Sequence, residues 1–329
     1  MATMTYQEAL NLALSEEMHR DERVFVIGDG VGLNASADEM TQRLLDEFDA
    51  RRVVHTHIPG SGFTGVGVGA AMVGLRPVVG MMTFNLVMLA LDQIIRMAAR
   101  LSYVSGGQYN VPIVIRGRGD PAHQFAVQPS QSIERYFYDV PGLKVVCPST
   151  PADAKGLLKS AIRDDNPVIF IESEALYGVK GEVPEDPDFT IPLGEAVVRR
   201  QGRDATVVAY IGMVHCAMEA AKELAKDSIS VEIVDPRTLC PMDEQTIVTS
   251  VRKTHRAVVV ESGAGFAGLD SEIAALIAEQ AFDDLDAPVE RVTGADAPMP
   301  YAKNLGLLKT PTQEKIVAAV RRVCYEKRR

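Results

Sequence analysis

No two of the four cysteines, Cys147, Cys216, Cys240 and Cys324, stand in a CxxC pair. That spread argues against a zinc site or a disulfide framework and fits a reducing cytoplasm. The six histidines are also scattered. Only His55 and His57 are close, and neither has a carboxylate or cysteine at ligand spacing, so side-chain metal binding finds little support. No apolar run reaches the length of a membrane span. The opening stretch "MATMTYQEALNLALSEEMHRDE" lacks the basic start and apolar middle of a signal peptide. The expectation is a cytoplasmic protein with no membrane partner. Basic residues are in deficit, 34 Lys and Arg against 44 Asp and Glu, for a formal charge of −10. A chain so acidic is poorly suited to a phosphate backbone, which excludes nucleic acid as an expected partner. There is no internal repeat and no low-complexity tail.

What is present suits a globular α/β protein. The 329 residues are comfortable for two domains, and 47% hydrophobic with 24% charged residues is ordinary composition. "TYQEALNLALSEEMHRD" carries helical spacing, with Thr5 and Glu8 at capping-box positions. The compact apolar runs "VFVIG", "RVVHTHI", "RPVVGMMTF", "VPIVIRG", "LKVVCPS" and "PVIFIES" are of the buried, parallel-sheet kind. Helices fall between them: a polar one around 37–48, a glycine-rich one, the long "VMLALDQIIRMAARLSYVSGG", and "TPADAKGLLKSAIRDD" with Thr150 as its cap. Residues 179–193, "VKGEVPEDPDFTIPL", break the rhythm with three prolines and four acids and read as a linker. Alternation then restarts, with strands at "ATVVAYIG", "ISVEIVD", "RAVVVES" and "VERVTG" among helices. The expected organisation is a domain over 1–178, a linker over 179–193 and a second, smaller domain over 194–329. Each is a mainly parallel sheet flanked by helices.

"HIPGSGFTGVGVGAAM", residues 57–72, holds five glycines in sixteen positions. "GDGVG" after the first strand lacks the third glycine of a dinucleotide fingerprint, and "GSGFTGVG" has no GK[ST], so neither is a recognised phosphate loop. Gly65, Gly67 and Gly69 sit in a run of small residues, which suits close packing of another element. The "PGSG" turn before the helix is open to either reading, tight packing or ligand approach at a helix N-terminus.

The motifs "GFTGVGVGAAMVGLRPV", "MTFN", "LDQI", "VSGG", "PGLKVVCPSTPADAKGLLKSAIRDDNPVIFIE" and "LYG" resemble the beta subunit of the thiamine-diphosphate-dependent decarboxylating component of 2-oxo acid dehydrogenase complexes. The pyruvate, branched-chain and acetoin types are the relevant relatives. "MVHCAMEAAKEL", "VDPRTLCPMDEQTI" and "VTGADAPMPYAKNL" resemble the transketolase C-terminal domain of the same subunit. The resemblance implies a transketolase-like pyrimidine-binding domain, an alpha subunit in an α2β2 heterotetramer, and a lipoyl or acyl-carrier protein as acyl acceptor. It implies that the alpha subunit holds the diphosphate and Mg2+, since Gly28-Asp29-Gly30 is followed at the usual distance by "VVHTHIPG", without an asparagine. Cofactor contacts fall on Gly60, Ser61, Phe63, Met82, Phe84 and Leu86. A structural K+ is implied at the backbone carbonyls of Ile113, Ala161, Asp164 and Asn166.

Three positions depart from the family pattern. The glutamate of S-E-x-G-F-[AT]-G, which in the family hydrogen-bonds the aminopyrimidine, is Gly60. The histidine of A-Q-H-S-Q is Pro129, within Val127-Gln128-Pro129-Ser130-Gln131. An aromatic residue expected against the pyrimidine is Leu86. The loop "GRGDPAHQFAV" is also unlike the family's. Candidate replacements for the missing acid–base groups are His123 and Asp120, with His57, Arg116 and Arg118 nearby in sequence. Each is also open to reading as a hydrogen-bonded or ion-paired surface group, the plainer of the two. Met81, Met82 and Met88 read as core, and Glu261 and Asp270 as packing and subunit surface of the second domain. Three functions are compatible with this pattern: a thiamine-diphosphate enzyme subunit with a non-standard site, a structural or regulatory pseudoenzyme subunit, or a cofactor-independent enzyme reusing the cleft.

Overall fold

The computed structural model describes residues 1–29, 31, 39–56, 60–81, 84–119 and 132–324. The chain divides into two compact units. One comprises Met1–Gly119, Tyr136–Leu193 and Leu239–Pro241; the other comprises Asp120–Arg135, Gly194–Thr238 and Met242–Arg329.

The first unit opens with strand β1 (Ala2–Thr5) and helix α1 (Tyr6–Arg20). Thr5 accepts from the Glu8 amide while the Glu8 carboxylate accepts from the Thr5 amide, so the expected capping box closes the helix start. Strands β2 (Val24–Gly28), β3 (Val53–His55), β4 (Arg76–Met81), β5 (Val114–Arg118), β6 (Lys144–Val146) and β7 (Val168–Glu172) succeed one another along the chain. Among them run α2 (Glu39–Phe48), α3 (Gly60–Met72), α4 (Ala99–Val104) and α5 (Pro151–Arg163). The strands lie in the order β6-β7-β5-β4-β2-β3, with Thr238–Cys240 beyond β6, and all the ladders among β2–β7 are parallel. Every residue of β7 is buried, as two covered faces require. Thr150 caps α5 by accepting from the Asp153 amide.

The long helix expected over 87–107 is three pieces. A 3-10 turn covers Phe84–Ala90, a π-helical stretch Asp92–Ala98, and α4 completes it before Gly106 and Gly107 end it at positive φ. Met81 belongs to the core, but Met88 is 39% exposed and does not. Residues 179–193, expected as a linker, carry strand β8 (Lys180–Val183), which pairs antiparallel with β1. The buried Lys155 and Lys159 of α5 hold the segment after β8, donating to the carbonyls of Pro184, Asp186 and Pro187. Prolines without periodicity leave backbone carbonyls unpaired, and here lysines satisfy them.

The remaining elements begin with β9 (Val197–Arg200), β10 (Ala205–Ala209), α6 (Gly212–Lys226), β11 (Val231–Asp235), β12 (Thr238–Cys240), α7 (Glu244–Thr254) and β13 (Ala257–Ala264). They continue through α8 (Leu269–Gln280), β14 (Glu290–Gly294), α9 (Lys303–Lys309) and α10 (Gln313–Val323). All except β12, which joins the first sheet, belong to the second unit. The sheet of that unit has the order β14-β13-β10-β11-β9, with only β9 antiparallel to its neighbour. Alternate residues Ala205, Val207 and Ala209 pack with Ala217, Ala221, Val317 and Val320 of α6 and α10. The intervening Thr206 faces α7, where its hydroxyl meets those of Ser250 and Thr254 at 2.7 Å. Period-two alternation thus sorts the two helix layers.

Candidate functional site

In the first unit the chain runs from β2 outward to β3 and then returns past β2 to β4. The carboxyl ends of β2 and β4 therefore flank a topological switch point, the usual crevice of an open parallel sheet. The strands meet there without side chains. A Cβ on Gly28 would lie 2.0 Å from the carbonyl oxygen of Gly80.

Helix α3, entering β4, begins at Gly60 itself, so Gly60 and Ser61 form its first turn instead of a preceding loop. Its buried residues are Gly60, Phe63, Thr64, Gly67, Val68 and Ala71, a face spaced at three and four. Packing of that face overrides the roughly 1 kcal/mol by which each glycine disfavours a helix. The glycines differ in purpose. A Cβ on Gly67 would meet Val79 Cγ2 at 2.9 Å and Ile113 Cδ1 at 3.1 Å, whereas Gly69 has nothing within 4 Å. Gly67 lets the helix sit close on the sheet; Gly69 faces open space.

At Gly60 a side chain would be crowded. A Cβ there would stand 3.3 Å from the Leu86 carbonyl oxygen and 3.9 Å from both Met81 Sδ and Phe63 Cζ. One polar and two apolar atoms thus close on the start of the helix. Phe63 is buried, and Leu86 contributes its backbone oxygen. Phe84 is fully buried, packing edge-on against Phe137 with ring centroids 6.1 Å apart. It also closes on Gly117, whose Cβ would come within 2.7 Å of Phe84 Cδ2. Ser61 is half-buried. One polar atom stands out: Thr64 Oγ1 is buried and makes no hydrogen bond among the described residues. Sequence reading passed over Thr64, because a threonine in a run of small helix residues gives no signal until its burial is known. Met82, His57, Asp120, His123, Gln128, Pro129 and Gln131 lie outside the described residues.

The two arginines of "RGRGD" are both on β5 and both paired. Arg116 Nε donates to Glu172 Oε1 at 2.5 Å, in a bridge with 6% and 1% of the side chains exposed. Tyr177 donates to the other carboxylate oxygen at 2.7 Å. Burial, then the Glu172 charge, pushes the Tyr177 phenol well above its ordinary pKa, and the same two causes act on Tyr6. Arg118 pairs with Glu174 at 3.1 Å. β7 and the turn after it thus neutralise the cations of β5.

The carbonyls expected to bind K+ lie at the opposite, amino end of the sheet, around the end of α5. The Ile113 oxygen accepts from the Val168 amide at 2.9 Å, and the Asp164 oxygen accepts from Arg76 Nη1 at 3.0 Å. Each carbonyl has a second lone pair, so both can still face a monovalent cation. Among the described residues no cluster of three or more His, Cys, Asp or Glu could hold a metal.

In the second unit Glu261 and Asp270 are fully buried, and the Asp270 amide donates to Glu261 Oε2 at 2.9 Å. Arg135 reaches Glu261 at 3.5 Å and the Ala264 carbonyl at 2.7 Å; Arg291 pairs with Asp270 at 2.9 Å. Burial foremost, reinforced by the charges of Glu134 and Asp270, raises the Glu261 pKa to about 8. The pair serves packing, as its place in "ESGAGFAGLD" suggested.

Two parallel-sheet units, the first with glycines packed closely at its switch point, define a protein of the transketolase type. The family models agree: "Transketolase, pyrimidine binding domain" matches residues 2–180 and "Transketolase, C-terminal domain" residues 194–316. A solved structure titled "Split gene transketolase, inactive beta4 tetramer" shares the fold, with a TM-score of 0.78 at 23% identity over 99% of each chain. Nearer relatives narrow the class. The pyruvate dehydrogenase E1 component subunit beta of Rhizobium meliloti is 53% identical over 99% of this chain and 71% of its own length. That of Rickettsia conorii is 47% identical over 98% of both chains. The mitochondrial subunit beta-1 of Arabidopsis thaliana is 48% identical over 98% of this chain and 90% of its own. The chain belongs to the pyruvate dehydrogenase E1 beta-subunit family. Among the described residues no helix is long and apolar enough to cross a membrane.

Proposed function

We propose that the chain is the beta subunit of a thiamine-diphosphate-dependent, 2-oxo acid dehydrogenase-type α2β2 enzyme whose acid–base equipment is altered. The observation that carries this reading is Gly60 itself, which stands among Leu86, Met81 and Phe63 at the position of the family's glutamate and holds no carboxylate. When bound, thiamine diphosphate supplies the carbanion chemistry of 2-oxo acid decarboxylation. This chain's part is to bind the pyrimidine half: Phe63 and Met81 exclude water, and the Leu86 carbonyl accepts a hydrogen bond. The alpha subunit holds the diphosphate and Mg2+, and a lipoyl or acyl-carrier protein takes the acyl group. K+ at Ile113, Ala161, Asp164 and Asn166 would brace the end of α5. His123 and Asp120 are the proposed acid–base groups, and the cytoplasm the proposed location.

Losing a positioned acid–base group lowers rate on the order of a hundred- to ten-thousand-fold, so turnover in the ordinary dehydrogenase assay should be weak. The test is native mass spectrometry of the chain co-expressed with its alpha partner in excess cofactor. An α2β2 species carrying thiamine diphosphate supports the reading. The same species without cofactor refutes it and favours the pseudoenzyme subunit, whose supporting observation is the side-chain-free Gly60. Turnover in cofactor-free protein would instead establish the third function, a cofactor-independent reaction in the cleft.

A further inference from the structure

We propose that the first unit carries a site for a nucleoside phosphate at the amino end of its sheet, the end opposite Gly60. Arginines there take the phosphates, and Tyr109 takes the base. Where α1 and α5 end beside the starts of β2 and β4, a pocket of about 270 Å³ is lined by Arg20, Arg23, Arg76 and Arg163 with Glu17 and Asp21. Four cations against two carboxylates leave a positive excess there, in a chain whose formal charge is −10. The two carboxylates are already taken. Glu17, 1% exposed, accepts from Arg163 Nε and Nη2 at 3.0 and 2.6 Å, and Asp21 from Arg23 Nε and Nη2 at 3.0 and 2.8 Å. Each of these guanidinium groups is held by one edge, and its Nη1 makes no hydrogen bond among the described residues. Arg20, 3.8 Å from Glu17, makes none at all among them. Guanidinium groups fixed in this way keep N–H donors to spare and meet phosphate oxygens at little entropic cost.

Two helix C-termini lie here, and their carbonyls by themselves disfavour an anion. Arginines cover them: Arg52 donates to the Met18, Asp21 and Val24 oxygens, and Arg76 to those of Ile162 and Asp164. A second pocket, about 210 Å³, shares Arg23 and Arg76 with the first and is lined by Gln108, Tyr109 and Asn110. The Tyr109 ring is 48% exposed, and neither neighbouring side-chain amide has a hydrogen-bond partner among the described residues. An aromatic face for stacking, flanked by groups that both donate and accept, is the chemistry that recognises a base. Each pocket is smaller than most ligand sites, roughly 300–1,000 Å³, but the pair with its shared wall reaches that range. Inorganic phosphate would use the first pocket alone; a nucleoside phosphate uses both.

The test titrates the αβ assembly with ADP and with inorganic phosphate by calorimetry, at constant K+ and with thiamine diphosphate and Mg2+ in excess. Arg20→Gln with Arg23→Gln should weaken ADP binding by about tenfold or more, as loss of charge-assisted hydrogen bonds does. Tyr109→Ala should weaken ADP by about fivefold or more through lost stacking and leave inorganic phosphate unchanged. In the wild type, ADP should slow amide hydrogen exchange at residues 20–23 and 108–110, a readout that needs no variant to fold. No ADP uptake at millimolar concentration overturns the proposal, as does equal ADP affinity in the double arginine variant or protection confined to other segments. Inorganic phosphate bound as tightly as ADP, with Tyr109→Ala without effect, also overturns it and leaves an adventitious ion only. An assembly that takes up no thiamine diphosphate refutes the proposed function, while the ADP titration still decides this site.

Discussion

Glu172→Ala should be among the most damaging single substitutions in the first unit, and its cost can be worked out. The carboxylate is 1% exposed and accepts from Arg116 at 2.5 Å and from Tyr177 at 2.7 Å. Removing it leaves a guanidinium with 6% of its side chain exposed without its counter-charge, and a buried phenol without its acceptor. Breaking a buried pair from one side costs about 3–5 kcal/mol, and the stranded hydroxyl adds roughly 1–3. The pair itself is worth far less, because desolvation offsets most of its attraction. A double variant, Arg116→Met with Glu172→Leu, should therefore recover most of the loss. Urea unfolding of wild type, Arg116→Met, Glu172→Leu and the double variant, tracked by a signal from the first unit, gives the coupling energy directly. A loss below about 1 kcal/mol for Glu172→Ala would refute the argument. So would a double variant as unstable as the single, since the damage would then come from lost volume instead of stranded charge.

Three further outcomes are expected. Gly28→Ala should abolish the soluble fold, because its Cβ would fall 2.0 Å from the Gly80 carbonyl oxygen, while Gly69→Ala, with nothing within 4 Å, should be neutral or stabilising in Tm. Thr150→Ala removes the cap that accepts from the Asp153 amide and should cost about 0.5–2 kcal/mol in denaturant unfolding, with Thr150→Ser restoring most of it. Glu261 sets a pH dependence: its folded pKa stands at about 8 against an ordinary 4.5. Between those values the folded state holds a proton that the unfolded chain has released, so stability falls as pH rises, by at most about 1.4 kcal/mol per pH unit. Glu261→Gln should flatten the Tm profile over that window, and a wild-type slope that survives the substitution would show that another group titrates.

Most of the fold was legible because its signals are local. The capping box at Thr5 and Glu8, the cap at Thr150 and the apolar runs that lead into β5 and β7 each identify their element without reference to distant chain. What escaped was set by tertiary partners. β8 is a strand because β1, some 180 residues earlier, pairs with it, and nothing in "KGEV" announces that. The division of 84–104 into 3-10, π and α pieces depends on what the helix packs upon, which periodicity does not record. At the site, the family pattern drew attention to Gly60, and the structure shows how closely the Leu86 carbonyl approaches it. Thr64 was invisible, since its burial and the lack of a partner are properties of the folded chain alone.

The ribbon of β1 and β8, and the stretch Leu239–Pro241 that belongs to the first unit, have a consequence for synthesis. A ribosome delivers β1 first, yet its partner emerges only at Lys180–Val183, and Leu239–Pro241 emerges later still. The first unit therefore cannot complete itself as its own strands appear. It waits for chain drawn from beyond the start of the second unit, and the N-terminal edge stays exposed meanwhile. Truncation before residue 239 should leave a nascent chain that chaperones retain, whatever the stability of the finished subunit.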